Sequence, residues 1–229
     1  MFYFDYTFWL LIPALIFAFY AQSRVKSTFS RYSQVSSASR ITAAQAVAEI
    51  LRYSPASEVS LERVPGHLTD HYDPRKKVLR LSDSVYNSTS IAALGVAAHE
   101  AGHAIQHAQK YSFLMLRNAF YPIASIGSNL AFPLFFIGLI FSGGGTRILM
   151  DVGILLFSAA VLFTVITLPV EFDASRRALA ILRERGFLNA AELNGARAVL
   201  KAAAMTYVAS TAMAALQLLR MIILRQSRD

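Results

Sequence analysis

The chain has 229 residues, 55% of them apolar and only 16% charged, with a mean hydropathy of +0.43. A soluble domain carries roughly 25% charged residues, so disordered, collagen-like and coiled-coil architectures are excluded and part of the chain is expected in lipid. Net charge is +8 and cysteine is absent, so there is no disulfide framework or thiolate nucleophile, and any metal must be held by His, Asp or Glu.

The first apolar run, residues 8–21, has no Lys or Arg ahead of it and is followed by Arg24, Lys26, Arg31 and Arg40. A cleaved signal would carry basic residues before the run. The order here predicts an uncleaved transmembrane anchor over 1–22, with the amino terminus outside and residue 23 onward in the cytoplasm. Residues 23–40, with seven serines and four basic residues, read as a solvated linker near anionic headgroups with no fold of its own. Ile41, Ala44, Val47, Ala48 and Leu51 recur at helical spacing, which predicts an amphipathic helix over 41–53. Residues 59–64 and 77–81 largely alternate apolar and polar, so they predict two short half-buried strands, a small β-hairpin element around the turn-rich piece 65–75. Ser88 or Ser90 can cap the next helix, which is alanine-rich and runs to about Ala108.

Two apolar segments follow, 119–141 and 148–170, each long enough to cross ~30 Å of hydrocarbon at ~1.5 Å per residue. Only 142–147, Ser-Gly-Gly-Gly-Thr-Arg, joins them, so a flexible turn and a transmembrane hairpin over 119–170 are expected. Segments 23–118 and 171–201 carry 12 and 6 of the 22 basic residues, whereas the expected outer loop has Arg147 alone; both segments are therefore placed in the cytoplasm. Asp151 falls near the outer end of its segment, where an acid is less costly than at the centre. The last apolar stretch, 202–224, is interrupted by Gln217 and Arg220 and ends in a basic tail. Spanning would carry that tail outward, and lying in the interface would keep it inside; the sequence leaves both open. The fold class expected is mainly α, an integral membrane protein with three or four transmembrane helices.

The chemistry lies in His99-Glu100-Ala101-Gly102-His103, an H-E-x-x-H motif within the predicted helix. Residues four apart share a helix face, so the two imidazoles can reach one Zn²⁺ while Glu100 projects beside it as a base for a bound water. A catalytic zinc needs a third protein ligand. His107 is rotated along the face, two residues short of the H-E-x-x-H-x-x-G-x-x-H spacing, and is expected to pack or to support a ligand. Glu171 follows the hairpin, which returns it to the membrane face of the motif helix; a solvated charge at a helix end reads the position equally well. His67, Asp70 and His71 are further candidates as ligands or substrate contacts, with surface turn roles as the alternative.

The run His99 to His107, the piece Asp70-His71-Tyr72-Asp73-Pro74 and the piece Leu168-Pro169-Val170-Glu171-Phe172-Asp173-Ala174-Ser175 together resemble the YugP-type neutral zinc metallopeptidases, relatives of the HtpX-type and CAAX-prenyl membrane proteases. The resemblance covers most of the chain. It implies a zincin-like fold in which Glu171 is the third zinc ligand of a gluzincin-like site. In those relatives an aspartate follows the glutamate by four positions; here position 175 is serine and the nearest acid is Asp173. The implied organisation is an anchor over 1–22, a cytoplasmic catalytic part over 23–118, the hairpin over 119–170, and a second catalytic segment with the third ligand and an apolar helix over 171–229.

The function expected is that of a zinc metalloendopeptidase with one catalytic Zn²⁺, embedded in the bilayer of a bacterial inner membrane as the resemblance suggests, its site at the cytoplasmic face. Its expected partners are membrane-associated or misfolded polypeptides and the lipid bilayer, with no nucleic acid. Strand 77–81 is expected to offer an edge to an extended peptide. The alternative is a non-catalytic membrane protein whose structural zinc supports a scaffold; a structural zinc has no use for a base at Glu100. A transporter would place ionisable residues near bilayer midplanes, which the two clearest spans lack.

Overall fold

The architecture comes from a computed structural model, which describes residues 6–141 and 146–227. The first five residues, most of the turn expected at 142–147 and the last two residues of the basic tail lie outside the described residues. After a 3₁₀ segment at Tyr6–Leu11 come α1 (Ile12–Ser33), α2 (Ala43–Arg52), β1 (Ser60–Val64), β2 (His71–Asp73), β3 (Val78–Ser82), α3 (Asp83–Tyr86), α4 (Ile91–Ala108), α5 (Ser112–Ile140), α6 (Arg147–Glu184) and α7 (Ala190–Gln226). The described residues form two compact units. One contains 6–21, 116–141, 146–168 and 206–227, the other 22–115 and 169–205.

In the first unit, Ala131, Phe135, Met150, Phe157 and Met221 form a buried cluster. A Cβ on Gly153 would stand 2.8 Å from the Ala131 carbonyl oxygen, so the missing side chain lets α5 and α6 approach closely, as small residues do between helices in lipid. Large apolar side chains including Ile126, Ile140, Ile148 and Leu155 are exposed on the outside of these helices, as a hydrocarbon solvent permits. Four helical segments, Tyr6–Ser33, Ser112–Ile140, Arg147–Glu184 and Ala190–Gln226, are long and apolar enough to cross a membrane. The stretch 202–224, which the sequence left open, belongs to the last of them. Arg225 near its end donates from Nε to Asp151 Oδ1 at 2.8 Å, so the start of α6 meets the end of α7 and Asp151 neutralises part of the basic tail.

The second unit is built around α4, whose Ser90 cap accepts from the Ala93 N–H at 3.2 Å. Leu94, Ala97, Ala101 and Ala104 pack in one core with Val47, Leu79, Leu81 and Leu182. Helix α2 begins with a capping box between Thr42 and Gln45. The strands are ordered β1-β3-β2. β1 runs parallel to β3, from Ser60 against Val78 to Val64 against Ser82, and the hairpin is made instead by β2 and β3, with Tyr72 opposite Leu79.

Two expectations are corrected here. Residues 23–33 are not linker but the continuation of α1, held by burial of Thr28 and Phe29, because tertiary burial outweighs the weak local signal of a serine-rich stretch. Strand 77–81 is not an edge: β3 is paired on both sides, by β1 and by a short β2 that the turn-rich composition of 65–75 concealed.

Candidate metal centre and active site

Helix α4 supplies two imidazoles and a carboxylate. His99 and His103 stand one turn apart with ring centroids 4.7 Å from each other, and Glu100 is displaced around the helix by one residue. Helix α6 brings Glu171 against them, 4% exposed, with its Oε2 3.3 Å from His99 Nε2 and 3.5 Å from His103 Nε2. Close approach of the two helices depends on Gly102 inside the motif, where a Cβ would lie 2.7 Å from the Ala174 carbonyl oxygen. Any side chain there would push the imidazoles and Glu171 apart.

These three residues form a group able to hold a metal ion, their donor atoms all within 4.8 Å of one another. Two donors at ~2.0–2.1 Å from a tetrahedral ion stand about 3.3–3.4 Å apart, which matches both His–Glu separations. The donor set of two neutral imidazoles and one carboxylate suits zinc. Among the described residues the group has three members, one fewer than the four protein ligands that close a structural zinc site.

The far nitrogen of each imidazole is engaged. His103 Nδ1 lies 3.0 Å from Gln106 Oε1, and Gln106 Nε2 donates to the Val170 carbonyl at 2.8 Å and to Asp173 Oδ2 at 2.9 Å. Both of the latter groups are acceptors, so the amide has one orientation: its oxygen faces His103, Nδ1 carries a proton, and Nε2 is the atom turned toward Glu171. Gln106 is completely buried. His99 Nδ1 lies 3.1 Å from the Ser175 hydroxyl. Asp173 is a buried acid that also accepts from Arg176 and Arg177.

Glu100 accepts the Tyr72 backbone N–H of β2 on Oε2 at 3.0 Å. Burial pushes its carboxyl above the ordinary range, against the opposing pull of His103 and His99. For His103, burial works against protonation, but the Glu171 and Glu100 carboxylates outweigh it and raise the ring above its ordinary value. Burial and then Asp73 raise Tyr72.

The remaining candidates fall elsewhere. His107 Nδ1 is 2.8 Å from the Tyr72 hydroxyl, so it props β2 against α4. His71 turns to the Thr69 carbonyl and Arg80, and His67 packs edge-on against Phe29. Asp70 accepts from the backbone N–H and hydroxyl of Ser82, which ties down the loop before β2. The functional contacts that sequence reasoning missed are Gln106, Ser175 and the Tyr72 N–H. Position 175 carried a signal, its four-residue offset from Glu171; a lone glutamine and a backbone amide carried none.

A helix-borne H-E-x-x-H pair completed by a distant glutamate defines a zinc metallopeptidase class of site. The chain matches the family described as "Putative neutral zinc metallopeptidase" over residues 7–226, and it belongs to that family. It is similar to the "Putative membrane protease YugP" of Bacillus subtilis (strain 168), 46% identical over 215 residues that make up 94% of each chain. No solved structure matches the chain.

Proposed function

We propose that this protein is a membrane-embedded zinc endopeptidase that holds one catalytic ion on His99, His103 and Glu171 and uses Glu100 as the proton-transfer group. The observation that carries this reading is the convergence of two Nε2 atoms and one carboxylate oxygen at zinc-like spacing, with Glu100 beside them. Held by His99, His103 and Glu171, zinc would supply Lewis acidity toward a scissile carbonyl and would make a water easier to deprotonate. Glu100, its Oε2 held by the Tyr72 N–H, takes the proton of the attacking water and passes it to the leaving amine. Gln106 and Ser175 fix the ring orientations, so little reorganisation accompanies the reaction. An extended polypeptide fits along the outer edge of β2, which lies next to Glu100, rather than along the central β3.

The reading puts the site at the cytoplasmic membrane face; in its support, Glu171 directly follows the apolar run 148–170 on α6 and basic segments flank that end. The substrates proposed are membrane-associated or misfolded polypeptides, in a bacterial inner membrane. A structural zinc is disfavoured because such sites are closed by four protein ligands, whereas three donors converge here.

Purified full-length Glu100→Gln tests the reading: zinc is expected to remain bound while peptide hydrolysis is abolished, and unchanged hydrolysis removes Glu100 as the base. Glu171→Ala is expected to weaken zinc binding severely in a competitive metal titration. Full affinity in that variant rejects Glu171 as a ligand.

A further inference from the structure

Between the carboxy-terminal part of α6 and the amino-terminal part of α7, within the second unit, lies a groove of about 520 Å³, in the ~300–1,000 Å³ range of small-ligand sites. Its floor is apolar, with Leu179, Leu200 and Ala204, and Phe172 stands at one end, 48% exposed. Its rim is cationic: Arg176, Arg183, Arg197 and Lys201 line it, and no acidic residue does. Arg176 is paired with Asp173. Among the described residues no carboxylate pairs with Lys201, and Arg197 donates only to the neutral Asn194 amide at 3.1 Å.

The two helices are also the ones whose apolar runs end at Val170 and begin at Ala202. At ~1.5 Å per residue, Lys201 is ~2 Å, Arg197 ~8 Å and Arg176 ~9 Å along the helix beyond the end of its run. A bilayer of ~40–45 Å with a ~30 Å core leaves ~5–8 Å of headgroup layer on each side. Lys201 and Arg197 therefore sit at phosphate depth, with Phe172 where aromatic side chains favour the interface. Arg183, thirteen residues past Val170, is ~20 Å out.

This groove is not the substrate cleft. Its wall includes Ser175, whose hydroxyl meets the Nδ1 of His99, the side of the ring turned away from Glu171. We propose that the groove is a binding site for an anionic phospholipid, with the phosphate on Lys201 and Arg197 and the glycerol and first methylenes over Leu200, Ala204 and Phe172. The site stands independently of the peptidase reading, since it requires neither zinc nor hydrolysis.

The test counts bound lipid by native mass spectrometry on the full-length protein in neutral detergent, titrated with phosphatidylglycerol, with phosphatidylcholine, or with glycerol phosphate. Phosphatidylglycerol is expected to bind at least about tenfold tighter than phosphatidylcholine, and Arg197→Ala/Lys201→Ala to lose about 25-fold, at about fivefold per cation. Arg197→Lys/Lys201→Arg is expected to keep the preference, as is Arg185→Ala, just past α6 and outside the groove. Equal binding of the two lipids overturns the proposal, and so does an undiminished preference in the double alanine variant. If Arg185→Ala weakens binding as much as the double change, general surface charge is responsible and the site is rejected. Competition by glycerol phosphate at the same concentration as the lipid would make it a free-phosphate site, and displacement by an acidic peptide would make it a peptide site; either result rejects the lipid assignment.

Discussion

Replacing Gln106 by Met keeps the side-chain length and removes three hydrogen bonds at once: the acceptor 3.0 Å from His103 Nδ1 and the donors at 2.8 and 2.9 Å to Val170 and Asp173. Asp173 retains Arg176 and Arg177, so its charge stays compensated. The loss falls mainly on His103, whose ring is then free to choose its tautomer and rotate. Loss of such a support behind a metal-bound imidazole lowers affinity by about 10–100-fold, or ~1.4–2.8 kcal/mol. Gln106→Glu is expected to be worse for stability, because it restores an acceptor toward His103 but sets a carboxylate oxygen against the Val170 carbonyl and Asp173 Oδ2. The assay is a zinc titration against a chromophoric chelator, with thermal unfolding followed with and without zinc. The zinc-dependent increment in melting temperature should shrink in Gln106→Met. Zinc affinity within about twofold of the parent, in a variant that folds, would falsify the role given to Gln106, since a positioning residue behind a ligand is worth at least about tenfold.

Gly102→Ala should destabilise the protein by about 1–3 kcal/mol, because the new Cβ meets the Ala174 carbonyl oxygen at 2.7 Å and neither backbone can yield without moving the helix. Intrinsic propensity alone predicts the opposite sign, a gain of about 1 kcal/mol for Ala over Gly, so a melting curve decides between them. Tyr72→Pro deletes the N–H that meets Glu100 while leaving the donors of His71 and Asp73, which point the other way along a strand of period two. Hydrolysis is expected to fall by more than about tenfold, the scale of misplacing a proton-transfer group, with zinc affinity retained. Tyr72→Phe, which loses only the hydroxyl contact with His107, is expected to fall much less; equal losses in the two variants would shift the role from the backbone amide to the side chain.

Much of this site was legible because helical spacing is rigid. Two histidines four apart must share a face, and a glutamate next to the first must stand beside whatever they hold. The apolar runs likewise outlined helices long and apolar enough to cross a membrane, since lipid leaves few alternatives to a helix. Strand order was not legible: β2 has three residues, lies among turn-forming residues and is stabilised by its partner β3 and by α4 rather than by its own composition. The helical continuation past residue 22 was hidden for a similar reason, because Phe29 gains its burial from residues distant in sequence.

The serine at position 175 shows where spacing rules carry further than composition. Residues four apart on α6 lie on one face, so Ser175 shares the side of Glu171 and reaches His99 Nδ1 at 3.1 Å. Asp173, two residues on, is rotated by about 200° from Glu171 on the same helix and cannot stand in for an acid at 175. It supports the centre by another route, accepting from Gln106, whose oxygen faces His103. Both imidazoles are thus backed by neutral groups, a hydroxyl and an amide, and Asp173 acts only through that amide while its charge is balanced by Arg176 and Arg177. A carboxylate behind a ligating imidazole raises the ligand's basicity; with neutral partners, the orientation of the rings is fixed without adding a second negative charge to the one that Glu171 already brings.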